Sequence, residues 1–151
     1  MRTHIKQLGP LHYRSMKDIF AVFYKSGMKD QDLSYYWRHR SREASVGIFS
    51  SAGDLLGFAL LMNKADTPGN MYLSYIAVHP DFKGFDLGSK LLKSILVKRL
   101  AVNGSIHLVP LSFPKLRKWY YDHGFNFSTD CMNFHSYRTR KNQWSVDYAC
   151  A

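Results

Sequence analysis

The stretch MYLSYIAVHPDFKGFDLGSKLL, residues 71–92, decides the fold of this chain. An apolar strand runs into a turn that contains Pro, Asp, Lys and Gly, and the turn opens directly into a helix. The first N–H groups of a helix have no acceptor within the helix and lie at the positive end of its dipole, so they form a binding site for phosphate. Gly84 and Gly88 allow a ligand to approach the main chain, and Lys83 adds a cation. The pattern therefore predicts that a phosphorylated ligand binds at this turn.

Size and composition indicate a single folded domain over residues 1–151. The chain is long enough to bury a core without metal or disulfide bonds, and 46% of its residues are hydrophobic, which excludes a disordered protein. Cys131 and Cys150 have no metal-ligand spacing and are too few for a disulfide framework, which favours a reducing compartment. The longest apolar run is interrupted by Gly57 and is too short to span a bilayer. We therefore expect a soluble, cytoplasmic protein with no metal site and no membrane partner.

The charge is strongly basic. Lys and Arg total 21 against 11 acidic residues, a net charge of +10, so the chain attracts anions such as a nucleotide-bearing cofactor, nucleic acid or an acidic protein surface. Three clusters hold much of this charge: Arg38, Arg40 and Arg42; Lys115, Arg117 and Lys118; Arg138, Arg140 and Lys141. No nucleic-acid recognition motif accompanies them, so an ordinary solvated surface is favoured for the first and third clusters and nucleic acid is not an expected partner.

Hydrophobic spacing along the chain predicts alternating strands and helices. The predicted strands are residues 2–8, 45–51, 55–64, 71–80 and 105–111 with one or two more within 125–138, and the predicted helices are 11–27, 32–43, 87–102 and 114–124. The turn Ala52-Gly53-Asp54 predicts a hairpin between the second and third strands. A meander followed by strand–helix–strand–helix–strand is an α/β or α+β order.

Two motifs within this order carry a family resemblance. The run YIAVHPDFKGFDLGSKLL resembles the acyl-coenzyme A binding motif of the GNAT superfamily of N-acetyltransferases, and LRKWYYDHGFNF resembles its second signature. The resemblance implies a central mixed, strongly twisted and splayed β-sheet of six to seven strands flanked by about four helices. It also implies an enzyme that transfers the acetyl group of acetyl-CoA directly to an amine.

The resemblance implies a cofactor site on the central strand and the turn. The strand backbone would pair with the pantetheine arm, and the turn would hold the pyrophosphate. The implied residues are Ile76, Ala77, Val78, Lys83, Gly84, Phe85, Asp86, Leu87, Gly88, Ser89 and Phe113. Asp86 departs from the family pattern, which has Gly there, and its carboxylate would repel a diphosphate or cap the helix. Phe113 also departs, since the family often has an Asn that contacts pantetheine.

The catalytic assignments also follow from the resemblance. Tyr120 lies four residues before Gly124, where the family places a tyrosine that protonates the departing thiolate; the alternative is a core aromatic residue. The central strand has no carboxylate to act as general base, and Ser74 stands in that region. His107 is the candidate general base, and a chain of waters is the alternative base. The alternative role for His107 is that of a packed structural imidazole. The amide of Val78 is the candidate for binding the oxyanion.

The amine acceptor is predicted from the acidic and aromatic residues of one segment. Asp30, Asp32 and Glu43 lie among Tyr and Trp residues in the segment 27–43, which by analogy covers the acceptor. Carboxylates and aromatic faces suit a cationic amine, so a small amine or polyamine is favoured. The alternatives are acetylation of protein lysine or N-terminal amino groups, and a non-catalytic CoA-binding GNAT-like module. The oligomeric state cannot be predicted.

Overall fold

The computed structural model describes residues 1–64, 69–102, 104–110, 114–128 and 131–135. Within this part of the chain, strands and helices follow one another along the sequence largely as predicted. They are β1 (Thr3–Gln7), α1 (Tyr13–Phe20), α2 (Asp30–Arg38), β2 (Val46–Ser50), β3 (Leu55–Asn63), β4 (Asn70–Val78), α3 (Leu87–Ala101), β5 (Ser105–Leu108), α4 (Pro114–Asp122), β6 (Asn126–Ser128) and β7 (Cys131–His135). Short 3-10 turns cover Pro10–His12, Ala21–Ser26 and Pro80–Phe82.

The strands form one mixed sheet of seven strands in the order β1-β2-β3-β4-β5-β7-β6. Four pairs are antiparallel in their described register: β1 with β2, β2 with β3, β5 with β7, and β6 with β7. The pair of β4 and β5 is parallel, and its described partners are Asn70↔Ser105, Met71↔Ile106 and Tyr72↔His107. The predicted α/β fold with six to seven strands and about four helices is confirmed.

The chain divides into two compact units, so a single domain over residues 1–151 stays a prediction. The first unit comprises Met1–Met62 and Ser74–Ser94, and the second comprises Asn63–Leu73 and Ile95–Ala151.

The core of the first unit lies where α1 and α2 cover alternate residues of the strands. Tyr75 of β4 contacts the rings of Phe20, Phe23 and Tyr36, with centroids 5.0, 5.4 and 5.1 Å from its own. The buried members of this cluster are Leu8, Met16, Ile19, Phe20, Leu33, Phe49, Phe58, Leu60, Tyr75 and Ala77. Because side chains of a strand alternate between faces, Tyr75 and Ala77 both reach this core.

Both N-terminal helices are shorter than predicted. After α1 the chain continues as the 3-10 turn Ala21–Ser26, and it ends as predicted at Gly27, which has φ 87°. Helix α2 stops at Arg38 because the guanidinium of Arg40 stacks 3.5 Å from the Trp37 ring and donates to the Trp37 carbonyl at 2.8 Å. This side-chain contact lets the chain leave the helix early.

The second unit has an aromatic core of its own. Phe125 is buried and contacts the rings of Tyr120 and Phe134 at centroid distances of 5.4 and 5.7 Å. The centre of this core is therefore formed by α4 and β7. Among the residues that the structure describes, no helix is both long and apolar enough to cross a membrane.

The close approach of β3 to β4 leads to a first prediction. A Cβ atom at Gly57 would lie 2.8 Å from the carbonyl oxygen of Ala77, which belongs to the backbone and cannot rotate away. We expect Gly57→Ala to lower the free energy of unfolding by roughly 1–3 kcal/mol, the usual effect of overpacking, as measured by urea denaturation. Gly9→Ala is the control, since the nearest atoms there lie 3.9 Å away. Equal stability of the Gly57→Ala and Gly9→Ala variants would contradict this view of the β3–β4 contact.

Candidate cofactor site and active site

The turn after β4 has a defined geometry. The ring nitrogen Nδ1 of His79 accepts a hydrogen bond from the Asp81 N–H at 3.1 Å, at the start of the 3-10 turn Pro80–Phe82. Gly84 has φ 90°, a conformation that disfavours other residues, and no atom lies within 4 Å of the position its Cβ would take. Lys83, Gly84 and Phe85 are all exposed. The turn therefore presents main chain and one cation to solvent.

Asp86 adopts a left-handed conformation with φ 61°, the one positive φ at a described residue other than glycine. Gly reaches positive φ without strain, and Asp tolerates it better than most other residues. The Asp86 side chain is exposed and makes no hydrogen bond to any residue that the structure describes. The expected helix-capping bond is therefore not seen, and the carboxylate remains beside the candidate phosphate site.

Helix α3 begins immediately after Asp86, whose carbonyl accepts the first helical hydrogen bond, from the Lys90 N–H at 3.1 Å. The side chains of Leu87 and Ser89 are buried and anchor the first turn, and Gly88 is half-buried between them. Since an α-helix provides no acceptor for its first N–H groups, the turn and the start of α3 have the geometry that the predicted anion site needs, and the site itself stays a prediction.

The edge of β4 is the second part of the site. The His79 N–H donates to the Leu56 carbonyl of β3 at 2.7 Å, and the Ala77 carbonyl also lies toward β3, beside Gly57. Main-chain groups alternate in direction along a strand, so those of Ile76 and Val78 point to the opposite edge. Of the three residues expected to pair with pantetheine, Ile76 and Val78 therefore present donors and acceptors, whereas the main chain of Ala77 is turned toward β3.

Tyr120 lies in α4 and is 5% exposed. Its ring packs against Trp119 at 4.9 Å, and its carbonyl accepts a hydrogen bond from the Phe125 N–H at 3.1 Å where Gly124 ends the helix with φ 98°. Burial raises the pKa of the Tyr120 phenol well above its ordinary value, and interaction with Tyr72 adds to the rise. The phenol is therefore protonated and neutral across the physiological range.

His107 has a different environment from the one that a general base needs. It is 6% exposed, and both ring nitrogens have partners: Nε2 contacts the Ser105 hydroxyl at 3.1 Å, and Nδ1 contacts Oδ1 of Asn133. With the proton on Nδ1, His107 donates to Asn133 and accepts from Ser105. The structure therefore supports the packed structural imidazole and gives no support to the predicted role of His107 as base.

Two of the three acidic residues expected near the acceptor, Asp30 and Asp32, are engaged locally. The Asp30 carboxylate accepts a hydrogen bond from the Tyr24 hydroxyl and lies 3.8 Å from the Lys17 ammonium group. The Asp32 carboxylate accepts from the Lys29 N–H at 2.7 Å and so caps α2. These contacts satisfy both carboxylates without a ligand.

Phe113, the third basic cluster and Cys150 lie outside the described residues.

Sequence reasoning assigned no role to one polar residue of β4. The Ser74 hydroxyl oxygen is buried and has no hydrogen-bond partner among the described residues. The sequence shows Ser74 as a polar residue in an otherwise apolar strand, which was the available signal, but burial and the lack of a partner appear only in three dimensions.

Comparison with known proteins identifies the family. The model of the acetyltransferase (GNAT) family matches residues 13–125, which include β4, the turn, α3 and Tyr120. A search of curated proteins found no match.

Solved structures share the fold at low sequence identity. A GNAT-family acetyltransferase from Staphylococcus aureus Mu50 aligns with a TM-score of 0.72 at 12% identity, over 89% of this chain and 99% of the other. The Escherichia coli ribosomal-protein-S18-alanine N-acetyltransferase gives 0.66 at 16%, over 89% and 94%. A GNAT acetyltransferase from Brucella melitensis, solved with acetyl-CoA, gives 0.67 at 17%, over 89% and 88%. On the family match and this shared fold, the chain belongs to the GNAT family and is an acyltransferase that uses acetyl-CoA as its co-substrate.

Proposed function

We propose that this enzyme transfers the acetyl group of acetyl-CoA directly to the primary amine of a small molecule. The observation that supports cofactor binding most strongly is the geometry of β4 and the turn that follows it. The diphosphate would bind the N–H groups between Lys83 and Ser89, and the pantetheine arm would pair with Ile76 and Val78 on the edge of β4 that is turned away from β3. We place the reaction in the cytoplasm, on the basis of the cysteine content alone.

The reaction has a simple balance of bonds and protons. The lone pair of the neutral amine attacks the thioester carbonyl carbon, a C–N bond forms, and the carbonyl oxygen becomes an oxyanion. The oxyanion then collapses, the C–S bond breaks, the amine proton passes to water and the thiolate gains a proton. The products are the acetylated amine and free CoA.

Two groups of the chain have roles in these steps. A main-chain N–H on the edge of β4 that is turned away from β3 binds the oxyanion, and Ile76 is favoured over the expected Val78 because it is farther from the diphosphate turn. Tyr120 donates its phenolic proton toward the departing sulfur, which its neutral state allows. Water takes the amine proton, because β4 contains no carboxylate and both nitrogens of His107 are engaged.

The preference for a small monoamine rests on the surface around α2. The rings of Tyr24 and Tyr35 are each 46% exposed, and such aromatic faces suit an ammonium group. The ammonium group of Lys17 already lies near the Asp30 carboxylate. With a net charge of +10, the chain repels a polycation more than a single ammonium group. An acceptor with one amino group is therefore favoured over a polyamine and over a basic protein tail.

A panel of amines tests this proposal. We expect release of free CoA from acetyl-CoA with at least one small primary monoamine, and a lower kcat/KM with spermidine or a lysine-containing peptide. Turnover only with peptides would overturn the preference for small acceptors. A protein that binds acetyl-CoA but turns over no amine would contradict the proposed reaction.

Variants at position 86 test the phosphate site. The carboxylate of Asp86 repels a diphosphate, so we expect Asp86→Asn to tighten CoA binding by roughly threefold to tenfold at low salt. Asn tolerates positive φ, so this change isolates the charge from the backbone. Asp86→Gly should bind CoA at least as tightly, whereas Asp86→Ala should also lower the melting temperature because Ala is strained at φ 61°. Calorimetry at two salt concentrations would show the gain shrinking as salt rises; weaker binding by Asp86→Asn would show that the carboxylate is needed.

Tyr120→Phe tests the acid. The ring and its packing are kept and one hydroxyl is removed, so kcat should fall by about a hundredfold to ten-thousandfold while the Kd for acetyl-CoA and the Tm barely change. Tyr121→Phe is the matched control, since Tyr121 is 56% exposed on the same helix and should retain full activity.

The pH dependence gives a second test of the same group. A raised pKa keeps the phenol protonated to higher pH, so kcat should show no loss as the pH approaches 10.0, the ordinary value for tyrosine. A Tyr120→Phe enzyme with wild-type kcat would remove Tyr120 from the mechanism.

A further inference from the structure

The hydroxyl group of Ser74 is an exception among the buried hydroxyl groups of the first unit. Its oxygen is buried and has no hydrogen-bond partner among the described residues. Ser45, which is also buried, shows the usual arrangement: its hydroxyl oxygen accepts from the Leu61 N–H at 3.0 Å and lies 3.3 Å from the Leu61 carbonyl, to which it donates. Buried polar groups are nearly always hydrogen-bonded, so a buried serine hydroxyl group without a partner among the described residues calls for an explanation.

The position of Ser74 on β4 indicates what a partner would be. The diphosphate turn follows the C-terminal end of β4, so a pantetheine arm that begins there passes Val78 and then Ile76. Its thioester end therefore points toward the N-terminal half of the strand. Ser74 is the next residue whose main chain points to the same edge, and it lies about 7 Å beyond Ile76 at the rise of an extended strand.

The chemistry of the group fits the substrate that must arrive at the thioester. A serine hydroxyl accepts hydrogen bonds from N–H groups, and it does so without the charge that would hold an amine in its protonated, unreactive form. β4 contains no Asp or Glu between Asn70 and Val78 that could compete for the amine. A neutral acceptor at this point suits an amine that must keep its lone pair free for attack.

On the basis of the proposed function, we propose that Ser74 binds the acceptor amine: its hydroxyl oxygen accepts a hydrogen bond from the amine N–H and directs the lone pair toward the thioester carbonyl. The partner of the buried hydroxyl is thus the substrate itself. Ser74 orients the amine and takes no proton, which leaves with water as described above.

Three variants separate this role from a structural one. Ser74→Ala should lower kcat/KM for the best amine of the panel by about threefold to tenfold, the effect of losing one neutral hydrogen bond. The Kd for acetyl-CoA should not change, and the Tm should stay the same or rise, because a buried group without a partner in the free enzyme has been removed. Ser74→Thr keeps the hydroxyl and should retain most of the activity.

Ser45→Ala is the matched control and should behave in the opposite way. It removes two hydrogen bonds to Leu61 and should lower the Tm while kcat/KM stays at the wild-type value. A Ser74→Ala variant with the kcat/KM of the wild-type enzyme, or one that has lost acetyl-CoA binding, would overturn the role of Ser74. Neither result would affect the proposed function as long as the wild-type enzyme acetylates an amine. A wild-type enzyme that binds acetyl-CoA but acetylates no amine would overturn both.

Discussion

The main-chain hydrogen bonds of β4 are divided between two edges, and the proposed cofactor site depends on this division. The bond from the His79 N–H to the Leu56 carbonyl sets which residues point toward β3. Alternation along the strand then leaves Ile76 and Val78 pointing to the other edge, where the described pairing with β5 covers only Asn70, Met71 and Tyr72. A shift of one residue in this register would exchange the two sets, so one long-range hydrogen bond determines which amides are available to a ligand.

The turn after β4 combines a favourable dipole with an unfavourable charge. The start of α3, Lys83 and the net charge of +10 all attract a diphosphate, and Asp86 opposes them. The left-handed conformation of Asp86 is one that Gly adopts without strain, so replacing Asp86 by Gly would change the charge and leave this backbone conformation accessible. Binding by main-chain N–H groups tolerates such a substitution because these donors do not depend on side-chain identity.

Three polar groups of the described region, the His107 ring and the hydroxyl groups of Ser45 and Ser74, are buried but have different environments. His107 is held by Ser105 and Asn133, and Ser45 is held by the main chain of Leu61, so both contribute to structure. Ser74 has no such partner and lies on the strand that the cofactor is expected to follow. Residue type alone would not distinguish the two structural residues from Ser74. Histidine is more often catalytic than serine on an apolar strand is, yet here the histidine is the residue that the fold holds in place.

The sequence by itself determined the order of strands and helices, the family and acetyl-CoA as co-substrate, because these depend on local periodicity, glycine placement and two short motifs. The tertiary structure decided which residues of the candidate cofactor site are available. The Asn133 partner of His107 is 26 residues away and the Leu61 partner of Ser45 is 16 residues away, so no local pattern could show that these groups are engaged. The same reason applies to Ala77, turned toward β3, and to the early end of α2 at the stacked pair of Trp37 and Arg40. Local patterns specify where the chain bends and which faces are apolar, whereas hydrogen-bond partners are set by residues that only folding brings together.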